Sequence, residues 1–474
     1  MLVSRNYIAR PSTYKKLPTI RSMSLETKNP SNRVAICHMR STNDTENNRL
    51  QVVEIVKKAK EKNANFVFLP ECCDYVGSNV PETLKLSQTI DGDTMSFYKN
   101  LSRTNKLWLS IGGFHEKVPK TNNTESDKIY NSHVILDDNG DIVGNYRKLH
   151  LFDVDTPEYK FRESKIVKGG HSILAPISSP IGNIGVMICY DLRFPELSTL
   201  LRKQGSDILT YPSAFAFTTG EAHWETLLRS RAIENQCFVV ASAQIGYHNE
   251  KRRSYGNAMV VDPWGKIIAK CDNNKEVDVA VTDIDLDVAA KVRQNMPCLE
   301  HRRNDIYSLS VMSKKFVSPS TKDFVFEKYP IPHETIFYES NHSLAFTNIR
   351  CVVPGHVLVA SRRSAKRLKD LAPDEVADFF QTVCIVQKMT ESYHQTNSST
   401  VTVQDGEFAG QTVKHLHCHI MPRRPGDFKF NDEIYIKLAK HDQHNADPAT
   451  RRSIDEMTAE ASEYQKLFLL KNFD

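Results

Sequence analysis

The chain has 474 residues, far more than the roughly 100 to 200 of one domain, and at 40% hydrophobic and 25% charged it has globular rather than disordered composition. Lys and Arg number 62 against 57 Asp and Glu, a net charge of +5, so no general nucleic-acid or membrane surface follows. Ten cysteines, single except for Cys72-Cys73, show no Cys-x-x-Cys spacing, which argues against a zinc ribbon or disulfide scaffold and suits a reducing compartment.

Residues 1–25 carry Arg5, Arg10, Lys15, Lys16 and Arg21, with Glu26 the first acidic residue. This is mitochondrial-presequence composition, the other readings being an unstructured tail or upstream translation before a start at Met23. No apolar run approaches the roughly 18 to 20 residues that span a bilayer, so the expected location is the cytoplasm, or the mitochondrion if the tail is a presequence. From Arg33 strand-like and helix-like segments alternate: Val34 to Ile36, a helical spacing at Leu50, Val53, Val56 and Ala59, then Phe66 to Leu69. Further strands are predicted at Leu107 to Ile111, His133 to Leu136, Ile184 to Ile188, Ile208 to Tyr211 and Phe238 to Ala241, with a helix over Glu221 to Glu234 and a hairpin turn at Asp137 to Asp141. The pattern predicts an α/β domain with mixed sheets over 33–305, following a tail at 1–32. Serines, lysines and Pro319 mark 306–323 as a linker. A smaller α+β domain is predicted over 324–474, with strands at Thr335 to Tyr338, Leu344 to Thr347, His356 to Ala360, Ser399 to Gln404 and Lys414 to Met421, and a helix from Asp374 to Tyr393.

In the first domain three apolar runs end in reactive groups: Phe68-Leu69-Pro70-Glu71, Tyr146-Arg147-Lys148-Leu149-His150 and Ile188-Cys189-Tyr190-Asp191. A thiolate, a carboxylate and an ammonium together can open an amide, the thiol attacking carbon while the carboxylate relays protons. Lys148 is expected to lower the Cys189 thiol pKa and to stabilise the oxyanion, with Glu163 orienting Lys148 or the attacking water. Any one of these residues alone is more often an ion pair or a packing residue.

Together, over about residues 33–305, Glu71, Lys148 and Cys189 resemble the triad of the nitrilase superfamily, as do Tyr211 to Phe215, His223-Trp224-Glu225 and Arg229 to Glu234. The resemblance implies an α-β-β-α sandwich, assembly into dimers or tetramers, and an amidase without a cofactor. The branch it implies hydrolyses deaminated glutathione, a metabolite repair reaction, with an ω-amidase acting on 2-oxo acid amides as the competitor. Either would suit a carboxylate-bearing substrate held by an arginine such as Arg193.

In the second domain Lys414 to Met421 alternates, so a strand would turn His415, His417 and His419 to one face and Leu416, Cys418 and Ile420 to the core. Imidazole is a competent phosphorus nucleophile near neutral pH, and zinc binding is the rival reading. Gly406, Gly410, Gln411 and Thr412 before the row and Arg423 and Arg424 after it favour phosphate, so no protein-held metal is expected.

From about Phe324 onward the His-x-His-x-His signature, with Asn348, Val353 to Val359, Gln404 to Gly406, Gly410 to Val413 and Asn431 to Tyr435, resembles the histidine-triad superfamily in its fragile histidine triad branch. The resemblance implies that His417 attacks the α-phosphorus of a dinucleoside polyphosphate, splitting diadenosine triphosphate into AMP and ADP through a nucleotidyl-histidine. It also implies that His419 contacts phosphate, that His356 and His415 support the nucleophile, and that Asn348 holds ribose. Gln404, Gly410, Gln411, Thr412 and Val413 would bind the phosphate region, and Tyr435 matches a candidate phosphorylation position. Magnesium or manganese would travel with the substrate. The order of the two domains resembles natural fusions of these families, implying a bifunctional homotetrameric hydrolase without nucleic-acid polymer or membrane partners. The alternative is a slow nucleotide-binding signalling module in the second domain.

Overall fold

In the strand Arg33–Met39 successive side chains alternate between two buried faces, Val34 and Ile36 on one and Ala35 and Cys37 on the other. A strand with no polar face must lie in a sheet covered on both sides. The computed structural model describes residues 32–118, 128–155, 160–304, 306, 307, 309, 322–441 and 451–470. The expected tail, apart from Asn32, and most of the linker lie outside the described residues.

Arg33–Met39 is central in an eight-stranded sheet, parallel to Phe66–Phe68 and to the start of Ala243–Tyr247 and antiparallel to Asp278–Asp283. The sheet continues through Trp108–Lys117, Ile129–Leu136 and Ile142–Arg147. Its outer face is covered by the helices Thr45–Glu61 and Asp93–Asn105, through Val52, Ile55, Val56, Met95 and Tyr98. Its inner face packs on a six-stranded sheet whose middle strands, Gly182–Val186, Ile208–Thr210 and Phe238–Ala241, run parallel. The helices Pro195–Lys203 and Phe217–Asn235 close the other side with Leu197, Leu201, Trp224 and Leu228. The four layers are helix, sheet, sheet, helix. The Asp137 to Asp141 turn forms as read: the Asp137 carboxylate accepts the N–H groups of Asn139 and Asp141, each at 2.9 Å.

The second domain is a five-stranded antiparallel sheet in the order Ile336–Glu339, Ser343–Thr347, Val357–Ser361, His417–Pro422, Ser399–Thr402. Phe379, Val383 and Val386 of the helix Pro373–Tyr393 and Ala461 and Tyr464 of Ile454–Leu470 pack on one face. Leu416, Cys418 and Ile420 point into that core. The expected strand from Lys414 begins at His417 instead, because pairing with the neighbouring strand starts at Ala360 and His417. Leu416 before it is held by its N–H on Ala365 O at 2.7 Å. Periodicity also missed the helices Glu433–His441 and Ile454–Leu470 and the hairpin Phe324–Phe326 with Tyr329–Ile331.

All ten cysteines are free thiols. No described helix is long and apolar enough to cross a membrane.

Candidate active sites

Glu71, Lys148, Glu163 and Cys189 converge on one cavity of about 300 Å³. Cys189 opens the short turn Cys189–Arg193, after a gap of two residues from the strand Gly182–Val186, with φ +43, and its N–H donates to Pro212 O at 2.9 Å. The turn is tied by Asp191, fully buried, whose carboxylate accepts Ile188 N–H at 2.9 Å and the Tyr146 hydroxyl at 2.8 Å. It also takes His150 N–H at 3.2 Å and His150 Nδ1 at 2.7 Å. One carboxylate therefore joins the segment carrying the thiol to the segment carrying Lys148.

Lys148 Nζ donates to Glu71 Oε1 at 3.0 Å and to Glu163 Oε1 and Oε2 at 3.0 and 2.9 Å. Asn131 Nδ2 bridges the same carboxylates at 2.9 and 3.1 Å. The remaining Glu71 oxygen accepts Ala214 N–H at 2.8 Å, and Glu163 Oε2 accepts Phe152 N–H at 2.7 Å. Behind Glu71 the strand Trp108–Lys117 is irregular between Ile111 and Phe114, where Gly112 and Gly113 let the chain approach. A Cβ on Gly113 would sit 2.9 Å from Cys72 N and from Glu71 Cγ.

Burial pushes the Glu71 carboxyl up, but the charge of Lys148, hydrogen bonds from Cys189 and Lys148, and the charge of Arg252 outweigh it and leave it below the usual range. Burial pushes Lys148 down, and the charges of Glu163 and Glu71 reverse this, so the ammonium stays protonated well beyond its ordinary range. The Cys189 thiol departs from the expectation. Lys148 does pull it down, yet burial and the Glu71 charge dominate and raise it well above its ordinary value. The resting group is a neutral thiol beside an ionised carboxylate, so Glu71 is placed as a base for it. Arg193 does not line the cavity: its guanidinium lies over Phe215 and Tyr190, at 5.3 and 5.8 Å, and reaches His223 Nδ1 at 3.3 Å.

In the second domain His356, His415, His417 and His419 are all buried. Their protonation follows from their partners, since a backbone carbonyl only accepts and a backbone N–H only donates. His417 Nδ1 lies 2.7 Å from His415 O and must carry the hydrogen, leaving the Nε2 lone pair. Val352 N–H donates to His356 Nδ1 at 3.2 Å, and His356 Nε2 lies 3.0 Å from His419 Nδ1. The His419 ring stands beside the His417 ring at 5.0 Å between centroids. His356 thus contacts His419, and His415 reaches His417 through its carbonyl while its own Nε2 donates to Ser361 O at 2.6 Å.

The Asn348 amide lies 3.3 Å from His356 Nε2. Gly410, with φ +88, packs against Gln404, where a Cβ would meet Gln404 Nε2 at 2.8 Å. The Gln411 side chain shapes this loop, accepting Gly406 N–H at 2.9 Å and donating to Lys366 O at 2.8 Å. Thr412 is exposed, and Val413 packs against the cluster around Phe326. Tyr435 is 52% exposed on the helix Glu433–His441. The basic pair after the row is engaged within the fold, Arg423 with Asp427 and Asn431 and Arg424 with His394 O. The Phe324–Ile331 hairpin was unread by sequence: Phe326 covers His415 and His417, each 5.2 Å between ring centroids. Among the described residues, side chains grouped as for a metal ion occur at exposed Asp323 and Glu334 with half-buried His333, not in the histidine row.

A four-layer sandwich with a Glu-Lys-Cys cavity, followed by a sheet bearing a histidine row, defines two hydrolase domains: residues 33–294 match the carbon-nitrogen hydrolase family and residues 331–426 the HIT domain. The chain is 50% identical to the nitrilase and fragile histidine triad fusion protein NitFhit of Drosophila melanogaster, over 94% of this chain and 95% of that one. The crystal structure of the C. elegans NitFhit protein superposes with a TM-score of 0.80 at 42% identity, covering 92% of this chain and 98% of that one. The chain belongs to the NitFhit family of fusion proteins. Its first domain is also similar to the deaminated glutathione amidase of Mus musculus, 45% identical over 61% of this chain and 89% of that one.

Proposed function

We propose that the second domain splits diadenosine triphosphate into AMP and ADP with His417 as nucleophile. The observation that carries this reading is the histidine row, in which His417 Nδ1 lies 2.7 Å from His415 O and leaves Nε2 for phosphorus, with the His419 ring beside it. His417 Nε2 forms a bond to the α-phosphorus as the bond to the leaving nucleotide breaks, and His419 donates to phosphate oxygen near the leaving group. Water then cleaves the nucleotidyl-histidine, releasing AMP and the free imidazole. Asn348, Gln404 and Gly410 belong to the substrate pocket, and magnesium or manganese arrives with the polyphosphate.

We propose that the first domain is a thiol amidase for deaminated glutathione, a reading supported by the Glu71, Lys148 and Cys189 cavity and by the likeness to the mouse amidase. Glu71 takes the thiol proton as Sγ attacks the amide carbon, and Lys148 Nζ faces the oxyanion. Glu71 returns the proton to the leaving nitrogen and then draws one from the water that opens the thioester. An ω-amidase using small 2-oxo acid amides is the second reading, because the same cavity suits both. The working form is a homotetramer in the cytoplasm, with mitochondrial import through the tail as the other location.

Purified Cys189→Ala and His417→Asn chains, assayed against deaminated glutathione and diadenosine triphosphate, test both readings. Each variant is expected to lose only its own reaction, and loss of both in either variant refutes two independent sites. A wild-type turnover with diadenosine triphosphate far below the roughly 1 to 10³ s⁻¹ of ordinary enzymes, with tight binding, would favour the signalling module instead.

A further inference from the structure

The match to the HIT domain ends at residue 426, yet side chains beyond it reach the segment from Asn348 to His356, which carries two residues of the second site. Arg452 stands just before the helix Ile454–Leu470, and its backbone N–H donates to Ile349 O at 2.9 Å. Its Nη1 donates to Asn348 O and to Cys351 Sγ, each at 3.4 Å. The guanidinium is in turn fixed from the helix, with Nη1 on Glu460 Oε2 at 2.8 Å and Nη2 on Glu456 O at 3.3 Å. Arg452 and Glu460 are both half-buried, so their ion pair is less screened than one on the surface. The other Glu460 oxygen accepts the Tyr464 hydroxyl at 2.9 Å, and that hydroxyl lies 2.9 Å from His394 Nε2. The His394 ring packs against Gly355, at φ +80, where a Cβ would overlap it. One network rooted in the C-terminal helix therefore braces the segment at Asn348 to Cys351 and again at Gly355. The Asn348 side chain is oriented by the same backbone, its Oδ1 accepting Arg350 N–H at 3.3 Å.

We propose that Arg452 is a positioning residue for the nucleotide site: by holding the backbone from Asn348 to Cys351 it sets the Asn348 amide against the ribose, which makes the C-terminal helix part of the hydrolase. A planar guanidinium can serve a carboxylate, backbone carbonyls and a thiol at once, a convergence that a lysine ammonium reproduces only in part. Displacing the amide by about 1 Å breaks a hydrogen bond to a ribose hydroxyl while leaving His417 on its own strand. This rests on the reading of the second domain as a diadenosine triphosphate hydrolase with Asn348 at the ribose.

The test measures ribose preference in the full chain, as kcat/KM for diadenosine triphosphate divided by that for its counterpart made with dideoxyadenosine. Arg452→Gln is expected to lower this preference at least about tenfold, with partial recovery in Arg452→Lys. Ser453→Ala removes the helix cap, in which Ser453 Oγ accepts Glu456 N–H at 3.2 Å, and leaves the guanidinium contacts in place. It is expected to lower the melting temperature and keep the wild-type preference. An unchanged preference in Arg452→Gln, an equal fall in Ser453→Ala, or no ribose preference in the wild type overturns the assignment. Where Arg452→Gln fails to fold, Glu460→Gln, which deprives the guanidinium of its carboxylate, must itself lower the preference or the assignment falls. Calorimetry of AMP and dideoxy-AMP with the His417→Asn chain reads the same contact without hydrolysis. Adding Arg452→Gln should reduce the ratio of their affinities at least about tenfold, and undetectable AMP binding or an unchanged ratio overturns the role. If the wild type splits no diadenosine triphosphate while this affinity ratio still depends on Arg452, the hydrolase reading fails and the positioning role stands.

Discussion

Nε2 of His356 lies 3.0 Å from Nδ1 of His419, and the other nitrogen of His356, Nδ1, accepts the Val352 N–H. A ring deep in the sheet thereby holds the orientation of its neighbour. His356→Ala is expected to lower kcat for diadenosine triphosphate at least about tenfold, part of the 10²–10⁴ that positioned proton donors supply, with little change in KM. A change confined to KM, measured by steady-state kinetics, would contradict this role.

Asp191 is a positioning residue, since it receives groups from both the Cys189 turn and the Lys148 segment without reaching the cavity itself. Asp191→Asn replaces an all-acceptor group by one that turns an N–H₂ toward donors. Loss of these bonds is expected to cost about 2 kcal/mol or more, and a shift of the thiol near 1 Å to lower amidase kcat roughly 10²-fold. Thermal unfolding and amidase assays read the two effects, with diadenosine triphosphate hydrolysis as the internal control.

Gly112 is fixed by crowding. A Cβ there would overlap Pro212 and the Leu69 carbonyl, backbone that leads to Ala214 on one side and Glu71 on the other. Gly112→Ala is expected to destabilise the domain by about 3 kcal/mol, at the upper end of overpacking costs, and to abolish amide hydrolysis. Wild-type amidase activity in this variant would show that the Glu71 approach tolerates displacement.

His115 gives a pH dependence with a definite sign. Burial pushes its imidazole down, but the Asp74 carboxylate 2.9 Å away and neighbouring Cys72 raise it to about 10 from 6.5. A folded-state value above the unfolded one stabilises fully below the unfolded value and is lost as pH rises through the folded one. The difference in melting temperature between wild type and His115→Gln should therefore be largest near pH 6.5 and shrink toward pH 10 and above. A difference constant over this range would mean that the ion pair adds nothing.

Sequence made the reactive groups legible because each one ends an apolar run: Glu71 after Phe66 to Leu69, Cys189 after Ile184 to Ile188. The histidine alternation likewise placed Leu416, Cys418 and Ile420 in the core. What stayed hidden depends on approach between distant segments. Asn131 bridges Glu71 and Glu163 from a strand that reads as ordinary sheet, and Asp191 gave a signal only by sitting two residues after the thiol. The thiol's raised pKa was missed because burial competes with Lys148, and burial is not written locally. Arg193 was the arginine offered for a substrate carboxylate, and only the fold shows that its guanidinium stays outside the cavity, over Phe215.

Cys189 stands at φ +43, where a side chain costs of order 1–3 kcal/mol and glycine almost nothing. Its side chain is thus held in the core against a backbone preference for glycine. Such a conformation persists only where the surroundings impose it, so the turn takes its shape from the bonds that Asp191 makes to Ile188 and Tyr146 and not from the preference of the residue that opens it.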